Sequence, residues 1–297
     1  MTRTIVTGGA GFLGSHLADE LTSRGHEVLI FDQRASPFRQ PAQEQVVGDL
    51  LDFELLQRSL QGADYVYHLG ALADLNVART RPRETASINV LGTVNLLEAA
   101  RLAEVKRFVF ASTVYVYSDE GSFYRASKQA GEAYIEEYHR QYGLEYTVLR
   151  YGSLYGPRAD ESNGVYRLLR AAAIDGRIRY DGRPDDAREY IHVADAARLS
   201  VDVLVPEYAN QHLVITGHYP MRARDLFTMF SEILGREIHV DYVEPETVDG
   251  HYRVTPYKFH PRVARKLTST LYVDMGQGAI EVLEQIERER GQGKTKA

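Results

Sequence analysis

Arg3-Thr4-Ile5-Val6-Thr7-Gly8-Gly9-Ala10-Gly11-Phe12-Leu13-Gly14 stands near the start of the chain, and its reading decides the fold. Arg3 to Thr7 reads as a short buried strand. A helical pattern follows the glycines at once, with Leu13, Leu17 and Leu21 spaced by single turns. Strand, glycine turn and helix in this order form the context that makes a glycine spacing informative. Gly8 allows a tight turn, Gly11 lets the backbone approach a pyrophosphate, and Gly14 lets helix and strand pack closely. The helix N-terminus, at Phe12 and Leu13, adds N–H groups and the positive end of a dipole. An ordinary strand-to-helix turn is the competing reading, since glycine-rich turns are common punctuation.

A second strand, Glu27 to Phe31, ends in Asp32, roughly 20 residues beyond the turn. A carboxylate there accepts hydrogen bonds from an adenosine ribose and repels a 2′-phosphate, which favours NAD over NADP. Arg34, close by, moderates that preference.

The chain has 297 residues, enough for one large domain or two smaller ones. Its formal net charge of −6 lends no support to nucleic acid or a membrane as the main partner. It has no cysteine, which excludes disulfides, thiolate catalysis and cysteine-ligated metals. A strand opens the sequence where a signal peptide would place a charged and then apolar leader. No apolar run is long enough to span a bilayer. A cytoplasmic enzyme without a metal is the expectation.

To about residue 150, strand and helix patterns alternate, predicting a parallel sheet covered by helices on both faces. Strands are read at Gln45 to Val47, Asp64 to Leu69, Arg107 to Ala111 and Glu145 to Arg150. A helix is read at Phe53 to Leu60, capped by Asp52, and a long one at Glu84 to Ala103. Beyond 150 the pattern is less regular. Gly152 to Gly164 reads as loop. Helices are read at Val165 to Asp175, Val193 to Val205, Arg222 to Leu234 and Asp274 to Arg290. Short strands flank the Gly-Arg-Pro turn between Ile178 and Ile191, another covers Glu237 to Tyr242, and residues 291–297 read as a disordered tail.

Ser112 and Thr113 end a strand, and Tyr124-Arg-Ala-Ser-Lys128 opens a helix. Tyr124 and Lys128 are one turn apart and share a face. A tyrosine ordinarily titrates near ~10. A lysine cation beside it, with a positively charged nicotinamide, favours the phenolate. That phenolate can take a hydroxyl proton while hydride leaves the same carbon, with Thr113 bonded to the oxygen. Tyr115 and Tyr117 are competing tyrosines. His68 reads as a structural residue, since no second metal ligand lies at helical spacing from it.

These motifs resemble the extended short-chain dehydrogenase/reductases, the NAD-dependent epimerases and dehydratases of nucleotide sugars. Thr7 to Gly14 (TGGAGFLG), Asn89 to Arg101 (NVLGTVNLLEAAR) and the Tyr-x-x-x-Lys pair carry the likeness. It covers residues 2 to about 200 closely and 200 to 290 loosely. The resemblance implies a Rossmann-type doubly wound parallel sheet in residues 1–150, rejoined by about 186–210. Residues 151–185 and 211–290 would form a smaller α/β substrate lobe. It implies an NAD site formed by Gly8, Gly11, Phe12, Leu13, Asp32, Asp49, Leu50, Leu69, Ala71, Tyr124, Lys128 and Tyr151. Asp49-Leu50 would face the adenine, and His68 to Asp74 (HLGALAD) would cover the cofactor. Asn89 would hold its helix and the neighbouring active-site groups in place. Thr113, Tyr115, Ser153, Arg188 and Arg253 would meet the substrate, with Arg188 as a phosphate clamp. It implies a homodimer through the helices at 84–103 and 124–142, with Ile88, Leu91 and Leu97 serving core and interface.

Two departures narrow this. Dehydratases and decarboxylases of the family carry acidic residues after the catalytic threonine; here Val114 and Tyr115 follow Thr113. The connection before Tyr124 is also short, only Ser118 to Phe123, where the family usually has a long loop framing the sugar. The expectation is oxidation at C4 of a nucleotide-linked sugar and return of the hydride to the other face, a 4-epimerisation. The alternatives are a net dehydrogenase or ketoreductase on a similar substrate and a non-catalytic NAD-binding sensor.

Overall fold

The computed structural model describes residues 2–243 and 265–293. Within them the chain divides into two compact units: residues 2–151, 197–215 and 265–267, and residues 152–196, 216–243 and 268–293.

The first unit begins with β1 (Arg3–Thr7), α1 (Phe12–Ser23), β2 (Glu27–Asp32) and β3 (Glu44–Val47). There follow α2 (Phe53–Ser59), β4 (Tyr65–His68), the short helices α3 (Leu75–Thr80) and α4 (Pro82–Ala86), and α5 (Gly92–Leu102). β5 (Arg107–Thr113), α6 (Ser122–Tyr142) and β6 (Tyr146–Tyr151) complete the alternation. β10 (Gln211–Ile215) and β13 (Arg265–Leu267) extend one edge, giving an 8-stranded sheet in the order β13-β10-β6-β5-β4-β1-β2-β3. Every pairing in it is parallel. The strand order reverses between β1 and β4, so the turn after β1 lies at the topological switch point, where ligands of such sheets bind.

α1 buries Leu13, Leu17 and Leu21, each burial worth about 1.5–3 kcal/mol. Asp52 caps α2 by accepting from Leu55 N–H at 3.0 Å. Ile5, Val66, Leu96, Phe108, Ile135 and Val148 belong to the core between the sheet and its helices. α6 stops where Gly143 takes a φ of 72°, a conformation open to glycine at little cost.

The second unit holds β7 (Ser153–Tyr155), α7 (Gly164–Asp175), β8 (Arg177–Asp181) and β9 (Ala187–His192). After α8 (Val193–Asp202) and the return to β10 come β11 (Pro220–Arg222), α9 (Ala223–Leu234), β12 (His239–Val243) and α10 (Met275–Gly293). β11-β9-β7 form a three-stranded sheet, and β12 pairs with β8.

The structure corrects several expectations. β7 lies inside the stretch read as loop. The long helix at 84–103 is interrupted at Ser87–Leu91 by a π-helical turn. α8 ends at Asp202, short of Val205. α10 runs through Gly293, so residues 291–293 are helical and not a disordered tail, while 294–297 lie outside the described residues. Leu97 is wholly in the core, whereas Leu91 is 52 % exposed.

One ion pair crosses the first unit's core. Arg150 of β6 and Glu132 of α6 have no exposed side-chain surface. Arg150 Nε donates to Glu132 Oε1 at 3.0 Å and its second terminal nitrogen to Oε2 at 2.7 Å. Ser112 Oγ donates to Glu132, and Arg150 also meets Tyr117 Oη and, at 2.9 Å, His212 Nδ1. Removing one charge strands the other in the core, at a cost of about 3–5 kcal/mol. Glu132→Leu is therefore expected to destabilise the protein by that amount in urea denaturation, and Glu132→Leu with Arg150→Met to recover most of it.

Candidate active site

The switch-point turn has almost no free volume. Gly8 has a φ of 71°, and a Cβ there would lie 2.6 Å from Gly70 N. A Cβ on Gly11 would meet only Gly8 O, at 3.2 Å. Gly11 caps α1 with no side chain, which leaves the first-turn N–H groups at Phe12 and Leu13 to a ligand. Asp32 closes β2 with its carboxylate oriented by two backbone donors: Ala10 N–H to Oδ2 at 3.0 Å and Arg34 N–H to Oδ1 at 3.2 Å. Each oxygen retains a lone pair for a ribose hydroxyl. Asp49 is exposed and accepts from Leu51 N–H at 3.0 Å, while Leu50 is buried. Leu69 and Ala71 are half-buried on the turn after β4. An uncapped helix start, a close backbone approach and an oriented carboxylate fit a dinucleotide.

Asn89, buried in the π-helical turn, holds the next part of the site. Its Oδ1 accepts from Leu72 N–H at 2.7 Å, and its Nδ2 donates to Leu72 O and to Ser127 Oγ, both at 3.0 Å. It thus joins the turn after β4 to the first turns of α6. His68 is buried with both ring nitrogens bonded, as a structural histidine should be.

Tyr124 and Lys128 lie on one face of α6. Lys128 is 3 % exposed. Its Nζ donates to Ala111 O of β5 at 2.7 Å and sits 4.7 Å from the Phe110 ring centre and 5.7 Å from that of Tyr124. Burial pulls the Lys128 ammonium down from 10.5 to about 7, and the Glu132 carboxylate one turn on partly opposes this. Burial pushes the Tyr124 hydroxyl up from 10.0 to about 12, although the residue keeps some open surface. The expected lowering of Tyr124 by Lys128 is therefore outweighed by desolvation in the protein alone. Thr113, buried at the end of β5, accepts at Oγ1 from Tyr115 N–H at 3.3 Å. Its own hydroxyl hydrogen remains to be donated. Tyr115 is half-buried with its ring against Gly121.

Tyr151 differs from its expected part. Its hydroxyl is bonded to Ser200 Oγ at 2.6 Å, deep in the first unit, so the side chain's polar end is already engaged. In the second unit, Ser153 of β7 pairs in register with Tyr190 of β9, two residues from Arg188. Alternation along β9 puts Ser153 and Arg188 on the same face of that sheet; both are half-buried. Arg253 lies outside the described residues.

Sequence reading passed over Ser127, Glu132 and Arg150. The signal for Glu132 was present: it continues the one-turn spacing of Tyr124 and Lys128. Arg150 looked like an ordinary strand residue, and only the fold makes it the partner of Glu132.

Comparison with known proteins agrees with this geometry. The profile of the NAD dependent epimerase/dehydratase family matches residues 4–215. A putative UDP-glucose 4-epimerase of Methanocaldococcus jannaschii is 30 % identical over 81 % of this chain and 85 % of its own length. A UDP-N-acetyl-alpha-D-glucosaminuronate decarboxylase of Bacillus cytotoxicus is 31 % identical over 72 % of this chain and 74 % of its own. The structure of a Thermus thermophilus UDP-glucose 4-epimerase in complex with NAD superposes with a TM-score of 0.80 at 27 % identity, covering 96 % of this chain and 99 % of that one. With a switch-point glycine turn, an oriented carboxylate at the end of β2 and a Tyr-x-x-x-Lys pair on one face of α6, the chain belongs to the NAD dependent epimerase/dehydratase family.

Proposed function

We propose that the protein is a nucleotide-sugar 4-epimerase. The observation that carries this is the placement of Tyr124 and Lys128 on one face of α6, with Lys128 Nζ on Ala111 O of β5, the strand that ends at Thr113. The epimerases among its relatives support the choice. Val114 and Tyr115 speak against decarboxylation, because neither offers a carboxylate beside Thr113.

Gly8, Gly11, Phe12, Leu13 and Asp32 would hold the NAD, with Asp49, Leu50, Leu69 and Ala71 around it. When bound, NAD supplies the hydride acceptor and donor. Tyr124 takes the proton of the sugar's C4 hydroxyl at its phenolic oxygen as the ketone forms, and gives it back when the new alcohol forms. Thr113 donates to that oxygen in both directions. Lys128 holds its nitrogen against Ala111 O and supplies positive charge under Tyr124. Burial pushes the Tyr124 hydroxyl up to about 12, and a positively charged nicotinamide, together with Lys128, would favour the phenolate. Arg188 is proposed as a phosphate clamp, with Ser153 on the same face of its sheet.

We also propose a homodimer through α5 and α6. Leu91, Leu102, Tyr134 and Tyr142 are each at least 44 % exposed on or beside these helices, apolar surface that a partner copy would cover. Leu91→Glu with Tyr142→Glu is expected to convert the dimer to monomer in light scattering behind size exclusion. A wild-type protein that elutes as a monomer at all concentrations refutes the dimer.

The test of function is incubation with UDP-, GDP-, dTDP- and CDP-sugars, following NADH absorbance and product identity together. An isomer without net NADH is expected. NADH build-up with a keto product would instead make it a dehydrogenase. Tyr124→Phe is expected to lower kcat by about 10²–10⁴; unchanged activity would remove Tyr124 from the mechanism.

The Lys128 site makes a separate prediction for stability. Its folded pKa lies below its ordinary 10.5, so between about pH 7 and 10 the unfolded chain binds more protons and stability rises with pH. Below pH 7 the full cost of a buried ammonium is present. Lys128→Met is therefore expected to raise Tm most at pH 6, by at least ~2 °C, and progressively less towards pH 10, while activity is lost.

A further inference from the structure

A chain of hydrogen bonds runs through the first unit from the turn after β4 to Tyr124. Gly70 N–H lies 3.4 Å from Thr7 Oγ1. Thr7 Oγ1 is 2.8 Å from His68 Nδ1, and His68 Nε2 is 2.9 Å from Thr93 Oγ1. Thr93 Oγ1 donates to Asn89 O at 2.6 Å. The Asn89 side chain donates to Ser127 Oγ, which donates to Tyr124 O at 2.7 Å.

The direction of each step is fixed by chemistry. The Thr93 hydroxyl hydrogen goes to Asn89 O, so Thr93 accepts from His68, and Nε2 carries the proton. Nδ1 is then an acceptor and Thr7 its donor, which leaves the Thr7 oxygen to accept from Gly70 N–H. Both halves of the chain point from the turn after β4 towards α6. Bonds aligned in this way polarise one another. Burial and the Lys128 charge hold His68 well below its ordinary pKa, so the neutral tautomer persists. Its ring packs edge-on to Phe108 at 5.9 Å and against Phe110 at 5.6 Å.

Both ends matter to the site. Gly70 is the residue against which Gly8 closes, with no room for a Cβ. Ser127 and Tyr124 belong to the first turns of α6. The π-helical turn delivers the middle: Gly92 N–H bonds to Ser87 O, one residue beyond an α-helical bond. That extra residue turns the Asn89 side chain towards Leu72 and Ser127. π-turns of this kind are frequent at functional sites.

We propose that His68 is a positioning residue: by joining Thr7 to Thr93 it sets the backbone at Tyr124 from the backbone of the dinucleotide turn. The consequence for catalysis rests on Tyr124 being the proton-transfer residue, which Tyr124→Phe tests separately. The positioning itself is tested without any sugar.

Thr7→Val and Thr93→Val keep shape and remove one hydroxyl each. Amide hydrogen exchange, read by mass spectrometry on the ligand-free protein, compares residues 122–128 with β10 as an internal reference. Each variant is expected to speed exchange at 122–128 by about 5-fold or more with β10 changed less than 2-fold, because local opening there is easier than global unfolding. The double variant is expected to show no more than the larger single effect, since either cut opens the same chain. Exchange that rises only around the altered residue, rises equally in β10, or multiplies in the double variant overturns the proposal. If Thr93→Val does not fold, Thr93→Ser decides. It keeps the hydroxyl, so exchange at 122–128 should stay within 2-fold of wild type even as Tm falls, and loss of protection there in step with Tm overturns it. With the sugar identified above, Thr93→Val should lower kcat about 10-fold and leave KM and the NAD Kd within 2-fold; a loss seen only in KM or Kd contradicts it.

Discussion

A methyl group on Gly14 would stand 2.1 Å from Gly8 O, and one on Gly8 would stand 2.6 Å from Gly70 N. Backbone meets backbone on both sides of the turn after β1, and the rest of the site depends on that contact. It sets α1 directly on the turn, so the uncapped helix start faces the place where a pyrophosphate would lie. It brings the end of β4 against the same turn, so that Thr7 can reach both Gly70 N–H and His68 Nδ1. Larger residues would separate α1, β1 and β4 and disperse groups that act only together. Gly8 and Gly14 are therefore as much a packing requirement as a phosphate cradle.

A second constraint is electrostatic. Two cations and a carboxylate are buried along one side of α6. Glu132 is raised by burial, but its bonds to Arg150 and Arg150's charge outweigh this and keep it below the usual carboxylate range. Arg150 in turn is enclosed by Tyr117, His212 and Glu132. Among the described residues Lys128 has no ion pair: a carbonyl and a ring face hold it, and Glu132 one turn away eases its charge. Such an arrangement costs stability and keeps the ammonium close to its titration point at neutral pH. A stable surface lysine would stay charged but solvated, and would exert little field on Tyr124. The destabilised placement is the one with chemical use.

The sequence revealed those parts of the fold whose causes are local. β1, the glycine turn and α1 follow from a run of apolar residues, a spacing and a helical period, and the structure places β1 at the predicted residues. Asp52 as a cap and Tyr124 with Lys128 on one face are equally local facts. β10 and β13 were missed because five- and three-residue strands are defined by the edge they join. β7 was hidden between Gly152 and Gly164 for the same reason. The π-turn at Ser87–Leu91 leaves no mark in an apolar period. Tyr151 illustrates the limit at side-chain level: the strand position was legible, but the Ser200 hydroxyl that engages it comes from a distant segment. Likewise, His68 reads as a structural residue, and only the fold aligns it with Thr7 and Thr93.

The short connection before Tyr124 has a physical consequence of its own. A long loop could frame a sugar, but its entropy would have to be restrained elsewhere. Here four residues link the helical turn at Val114–Tyr117 to α6. Arg125 donates to Ser118 O at 2.8 Å, Ser118 Oγ to Tyr115 O at 3.1 Å, and Glu120 N–H to Ser118 Oγ at 3.2 Å. Gly121 and Ser122 take φ values of 91° and 47°, a tight reversal that costs a serine some strain. The reversal sets Gly121 on the Tyr115 ring, so the residue two after Thr113 and the residue three before Tyr124 touch. The connection thus joins the segments that carry Thr113 and Tyr124 by direct packing. The Tyr115 ring is thereby held by the connection itself and not by a longer loop.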